Sequence, residues 1–405
     1  MLNLVLLLLC TNCSRLVKKI ETEDSGIKEI NIMANLSNSR IIKLSDIASS
    51  IKYCKLETDR KCLVHHQMKF YCAKEYIVSI GWDEPSHQAC YVFDRKTGKF
   101  VRQISRFGQG PGEYIELEEN FWDEKYEQVC MWSHPNYIFY NLDETISHRI
   151  NRNEHPISFS STIVYGDHYV RYIQNHSGNE KRRIVFYDRT GALIDSIPNF
   201  RTWERSEGSR GGRAMFHVFN NELYYTDIFC DTLFQIKDFT LHPRYIFNTG
   251  GRTLPYQKHA TGRDELQLML RGDADIYTWH EPYIVIGKIF EDAKRLYFTF
   301  DYRRKRYPAV YKKTERDLLI MPPITVPIIR RDMIIPLYGF DNDLDGGLPF
   351  WPQQMISDKE MMCVYSTTEL LALDASKITD EKLKNVLNSL EEDSNPVVAI
   401  VTLKD

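Results

Sequence analysis

The chain has 405 residues, 43% hydrophobic and 26% charged, with a formal net charge of −3. This balance excludes a disordered chain and lacks the basic stripe that nucleic-acid binding requires. Aromatic residues make up 12%, led by 24 Tyr and 20 Phe, types that favour pleated, half-buried surfaces.

Residues 2–9 are apolar apart from Asn3, and Cys10 and Cys13 follow at once. The run is too short to span a bilayer, which takes ~20 apolar residues, and fits the apolar core of an export signal. It resembles a bacterial lipoprotein signal, in which a cysteine thiol is acylated and becomes the mature N-terminus. Cys13, followed by Ser14, is the expected lipidation site, with Cys10 as the alternative. The competing reading, a frayed hydrophobic start on a soluble protein, would leave a sticky patch exposed. The expected division is a signal over 1–13, a polar tether and lead-in over 14–40, and one folded domain over 41–405. With Cys10 removed and Cys13 acylated, seven cysteines remain. An odd number at wide spacing predicts buried thiols and not a disulfide framework.

A repeat governs the rest of the chain. Residues 91–104 alternate apolar and polar side chains across a Thr-Gly turn, the pattern of a hairpin. Similar segments begin at residues 137, 184, 232, 296 and 396, the first intervals being 46 to 48 residues and the last two 64 and 100. The short interval matches one four-stranded propeller blade of ~40–50 residues. The long ones carry expected helical inserts. One is 263–271; the other combines a capping box at Ser366 and Glu369 with Leu383, Val386, Leu387 and Leu390 at helical spacing.

The last strand-like run, 396–403, has no hairpin partner after it, and 51–57 is a lone strand before the first copy. An unpaired edge invites aggregation, so the two ends are expected to complete one blade together. The predicted fold is all-β: a six-bladed β-propeller with short helical inserts, closed by N- and C-terminal strands. An open sandwich explains the regular interval poorly.

The segment Arg106-Phe-Gly-Gln-Gly-Pro-Gly-Glu-Tyr114 resembles the G-x-G-P-G-E-[YF] turn of the six-bladed β-propeller lipoproteins of Bacteroidetes, as do 43–57, 341–352 and the closing 395–403. The resemblance covers most of the chain. It implies an NHL-like propeller in the envelope of a Gram-negative bacterium, in the periplasm or at the outer membrane, and often lipidated; it implies no established reaction.

Four features could carry chemistry. Gly108, Gly110 and Gly112 permit positive φ around Pro111, which predicts a preset structural turn; the rim reading gives Arg106, Gln109, Glu113 and Tyr114 to a ligand. Asp341, Asp343 and Asp345 followed by Gly346 begin like a calcium loop, but position 12 is Pro352, which excludes an EF-hand. A non-EF Ca2+ site and a solvated turn both stand. Adjacent His65 and His66 point to opposite faces of a strand, and His134, His168 and His217 share no ligand spacing. Residues 201–213 hold four Arg, Trp203 and three Gly; Trp203 could stack on a sugar and Arg213 could hold a carboxylate, against a merely solvated loop.

No coherent catalytic motif emerges. The expected function is binding or scaffolding at the envelope by a monomer held through a lipid anchor, with a glycan, a peptide or an envelope protein as partner and no nucleic acid. The rival is a hydrolase or lyase that acts on polysaccharide in the central pocket. Two convergent perturbed acid–base groups would favour the enzyme.

Overall fold

The computed structural model describes residues 26–404 except 65–67, 83–87, 111, 114–115, 156–160, 205–207, 210–211, 262–280 and 327–335. Cys10, Cys13, His65, His66, Pro111, Tyr114 and the expected helix at 263–271 lie outside the described residues.

Six blades of antiparallel strands follow one another along the chain, each running from inner to outer strand, except that the last takes its outer strand from the N-terminal region. The inner strands are Lys69–Cys72, Glu116–Asp123, Thr162–Tyr165, Ala214–Phe219, Val285–Glu291 and Gln354–Ser357, in blades I to VI. Each contacts the inner strand or sheet of the next blade, and Gln354–Ser357 returns to Lys69–Cys72, so the ring is closed.

Blade VI is shared between the chain ends. Val397–Leu403 is its third strand, and Ala48–Lys55 pairs antiparallel with it as the outer strand, from Ala48 opposite Leu403 to Lys55 opposite Val397. Asn395, 2% exposed, staples this closure. Its Nδ2 donates to Glu57 O (2.6 Å) and Cys62 O (2.8 Å), and its Oδ1 accepts from Val64 N (2.8 Å).

The core lies between blades. Six apolar clusters each join two consecutive blades. On one strand Val129 and Met131 pack towards blade I while Cys130 packs towards blade III. Val397 and Ala399 pack towards blade V while Val398 and Ile400 pack towards blade I. The middle strands are therefore buried on both faces and apolar throughout, and strict alternation holds only towards the rim. All described cysteines are free, and six of the seven are buried.

The fifth repeat, placed at 296, falls on the second strand of its blade, Arg295–Tyr302; the third is Lys305–Lys312. Part of the expected lead-in is structured. Lys28–Asn31 adds a fifth, parallel strand to the outer edge of blade IV, with Ile30 and Ile32 fully buried. The chain then passes blade V, where Arg40 N donates to Ile320 O (2.9 Å), and reaches blade VI. One segment thus straps three blades. The helical insert of blade VI forms as expected: Thr367–Leu371 opens on the Ser366–Glu369 capping box, and Glu381–Asn388 is capped by Asp380.

Asn395→Leu keeps the side-chain volume but strands two carbonyls and one amide. It should cost about 3 kcal/mol or more, at ~1–3 kcal/mol per buried group left unpaired. Urea unfolding should show a lower midpoint with an unchanged slope; an unchanged midpoint would mean that the ring closes without this staple.

Candidate functional site in the axial passage

The inner strands surround the ring axis, and three titratable side chains stand out there. Lys69 is on the inner strand of blade I, Lys288 on that of blade V, and Glu124 directly follows that of blade II. Solvent reaches all three side chains, yet burial dominates their titration. It lowers the pKa of Lys69, lowers that of Lys288 to about 8 with Glu124 opposing, and raises that of Glu124 with Lys288 opposing. These side chains are open to water, yet surrounding protein disfavours their charged forms. Blades II and V are opposite in a ring of six, so Glu124 and Lys288 bear on each other across it.

Among the described residues neither lysine has a carboxylate as a direct partner. Lys288 Nζ donates to Gln353 O (2.6 Å) and sits 4.7 Å from the centre of the Phe290 ring. Lys69 Nζ makes a long bond to the neutral Asn120 Oδ1 (3.4 Å). Val218, 43% exposed, adds an apolar side chain near the end of the blade IV inner strand. Sequence reasoning missed these residues, though a signal was present: each lysine interrupts an apolar run, Lys69 between Met68 and Phe70 and Lys288 between Gly287 and Ile289.

The residues expected to carry chemistry are placed otherwise. In the turn between blades I and II, Glu113 Oε2 accepts from Gly110 N (2.8 Å), and Arg106 Nε lies 3.7 Å from Glu113 Oε1. The turn is closed on itself, with Arg106 and Gln109 exposed. Only Gly112 of the three glycines has positive φ, +91°. Gly108 is needed for room, because a Cβ there would meet Glu113 Oε2 at 2.0 Å.

Trp203 is 6% exposed, and its indole N–H donates to Asn175 O (2.8 Å). A ring so enclosed offers no face to a sugar, which corrects that expectation. The same loop is pinned by Arg201, which holds Asp227 with two bonds (3.2 and 2.5 Å) and lies over Tyr256. Arg213 is exposed at the start of the blade IV inner strand.

The carboxylates of the expected calcium loop are engaged with protein groups. Asp343 accepts from Ser45 N (2.9 Å) and Ser45 Oγ (2.7 Å), fastening the N-terminal strap. Asp345, 3% exposed, accepts from Gly347 N (2.8 Å) and bonds Tyr53, and burial raises its pKa. Asp341 N and O bond Ile42 O and Leu44 N (2.9 and 2.7 Å). Among the described residues no group of three His, Cys, Asp or Glu could hold a metal ion. The cavity beside this loop, about 550 Å3, opens between Asp341 and Lys377 away from the axis. His217 is a core histidine: its Nε2 meets Glu291 Oε2 at 2.9 Å, and its ring stacks on Tyr224.

Fold and passage define a closed six-bladed propeller with a charged axial opening. The chain belongs to the family described as "Domain of unknown function (DUF4934)", whose model matches residues 27–402. None of the curated proteins matches it. Among solved structures it is similar to the "Putative exported protein (BF0058)" of Bacteroides fragilis, at 17% identity and a TM-score of 0.63 over 94% of this chain and 100% of that one. It is also similar to a member of the DUF4221 family from Bacteroides vulgatus, at 12% identity and a TM-score of 0.50 over 88% and 97% of the two chains. At these identities the likeness is one of fold.

These charges have two measurable consequences. Lys288 has a folded pKa of about 8 against an ordinary 10.5, so the unfolded chain binds more protons between those values and stability rises with pH across that window. Lys288→Met should melt higher than wild type at pH 7, and the gap should close by pH 10.5; a variant that melts lower at pH 7 would make this lysine a structural one. Asp227 is fully buried, and Arg201 is the leading cause that lowers its pKa, to about 2 from 3.8. Its contribution is present above pH 3.8 and lost as pH falls through about 2. Asp227→Asn should cost about 3–5 kcal/mol at neutral pH by leaving Arg201 buried without its counter-charge, and the difference in unfolding free energy should shrink towards pH 2.

Proposed function

We propose that this chain is a binding propeller held at the bacterial envelope and that its ligand, a glycan or a peptide, enters the axial passage. The observation that carries this reading is the pair of solvent-reached lysines on the inner strands of blades I and V, neither of them neutralised by a carboxylate partner. Rigid scaffolds place recognition groups where loops and strand ends converge. Burial without ion pairing destabilises a lysine, and such a cost is commonly retained for function.

Envelope location and kinship with NHL-like lipoprotein propellers rest on the resemblance of the 106–114 turn and on the 2–13 segment. Among the described residues no helix is long and apolar enough to cross a membrane. A lipid on Cys13 is the proposed means of attachment, on the resemblance of the 2–13 segment to a lipoprotein signal.

A second reading has one observation in its favour. Glu124 and Lys288 are both shifted towards their neutral forms, as an acid–base pair would be. A lyase acting on acidic polysaccharide would use a neutral amine to take a proton and a neutral carboxyl to give one. Incubation with polygalacturonate should leave ultraviolet absorbance flat if the protein only binds; a rise that Glu124→Gln abolishes would establish the lyase.

Val218→Trp should narrow the passage and abolish retention of whatever the wild-type protein captures from glycan and peptide arrays, with little change in melting temperature. Retention unchanged by the tryptophan would move the site away from the axis. In the native host, Cys13→Ser should end palmitate labelling and Cys10→Ser should not.

A further inference from the structure

The passage has a chemical polarity that narrows its ligand. Lys288 Nζ is fixed by one neutral carbonyl, Gln353 O at 2.6 Å, where the chain enters blade VI. Among the described residues Lys69 Nζ donates to the amide oxygen of Asn120, at 3.4 Å. A lysine ammonium carries three donors, so each keeps hydrogen-bonding capacity that protein does not use. Several less exposed cations among the described residues are matched by carboxylates: Arg201 by Asp227, Arg189 by Asp123, Arg295 by Asp292 and Lys313 by Glu291. The two passage lysines have no such pairing among the described residues. Glu124 bears on Lys288 only through its charge.

We infer that Lys69 and Lys288, on the inner strands of blades I and V, each offer an oxyanion contact in the axial passage, for carboxylate, sulfate or phosphate groups carried on a ligand slender enough to enter the ring. This rests on the passage being the binding site and adds the class of ligand. An ammonium binds oxyanions as a point charge without the forked geometry of arginine, so the site selects charge and reach more than the shape of the anionic group. In an enclosed passage such a contact is worth more than on an open surface, because water and salt screen it less. Val218 near one mouth adds an apolar contact for the body of the ligand.

The test uses the full chain and three probes by calorimetry: oligogalacturonate, a sulfated oligosaccharide of the same length, and inorganic phosphate, with a neutral malto-oligosaccharide as control. At least one anion should bind at pH 7 and the neutral sugar should not. Lys69→Gln and Lys288→Gln should each weaken binding about tenfold or more, the loss of one charged hydrogen bond. Affinity should fall as pH rises through about 8, where Lys288 loses its proton beside Glu124. Lys288→Arg should restore binding and remove that fall, because a guanidinium stays charged; a merely structural lysine would show neither effect. Binding only by oligogalacturonate or the sulfated sugar identifies a glycan source for the anion, and binding by phosphate alone identifies a free or phosphorylated one. Failure of all three probes, or full affinity in the double variant Lys69→Gln/Lys288→Gln, overturns the anion subsite. If the neutral sugar binds as well as the acidic one and Val218→Trp abolishes both, the axial site stands and its anion preference falls. If Val218→Trp changes nothing, the axial site itself falls.

Discussion

Every blade of this ring depends on its neighbours for burial. The second and third strands present apolar side chains on both faces, and each face is covered only by the adjacent blade. Val129 and Cys130 are consecutive residues that serve different interfaces; so are Val397 and Val398. A lone four-stranded sheet built this way would expose two apolar faces, so stability requires the whole circle. The weak point of such a circle is its seam. Here blade VI draws its outer strand from the N-terminal region and its other three from the C-terminal region, so opening the seam means stripping a strand from a hydrogen-bonded ladder as well as separating packed faces. Asn395 bonds three backbone groups across the seam. The strap over blades IV, V and VI also ties outer edges that an open sheet would leave bare.

Closure also creates the passage. Six inner strands bring side chains from sequence positions as distant as Lys69 and Lys288 around one axis. Water reaches them, but surrounding protein disfavours their charged forms, which moves the titration of both lysines and of Glu124. The site is a consequence of the topology and belongs to no single blade.

This explains which regions of the molecule were legible in the sequence. The repeats beginning at 91, 137, 184 and 232 were readable because each falls on the third strand of its blade, Gln88–Asp94, Asn136–Asn141, Arg182–Tyr187 and Thr232–Lys237, next to a turn of fixed chemistry. The shared blade was readable because two lone strands at opposite ends are each half of an answer. Lys28–Asn31 was not: four residues that pair in parallel with a distant edge carry no local signature. The Asp341 loop misled because cation loops and Asx-type turns draw on the same residues, and Ser45, Gly347 and Tyr53 decide between them only in three dimensions. Trp203 misled because a tryptophan among arginines and glycines reads as exposed, whereas Asn175, far upstream, takes its N–H into the interior.

The treatment of charge separates structure from function. Asp227, Asp123 and Asp292 are buried carboxylates, and each is met by an arginine. Tyrosine hydroxyls from Tyr225 and Tyr297 complete two of these sites at 2.5 and 2.6 Å. Such groups are internally satisfied, and removing one partner harms the fold through the charge left behind. Lys69 and Lys288 stand exposed on inner strands, and the protein partners shown for them are an amide oxygen and a carbonyl. Selection for stability alone would replace them with apolar residues like their neighbours Phe70 and Ile289. Their retention as unpaired cations in a passage open to water is intelligible if the missing counter-charge is supplied from outside the chain.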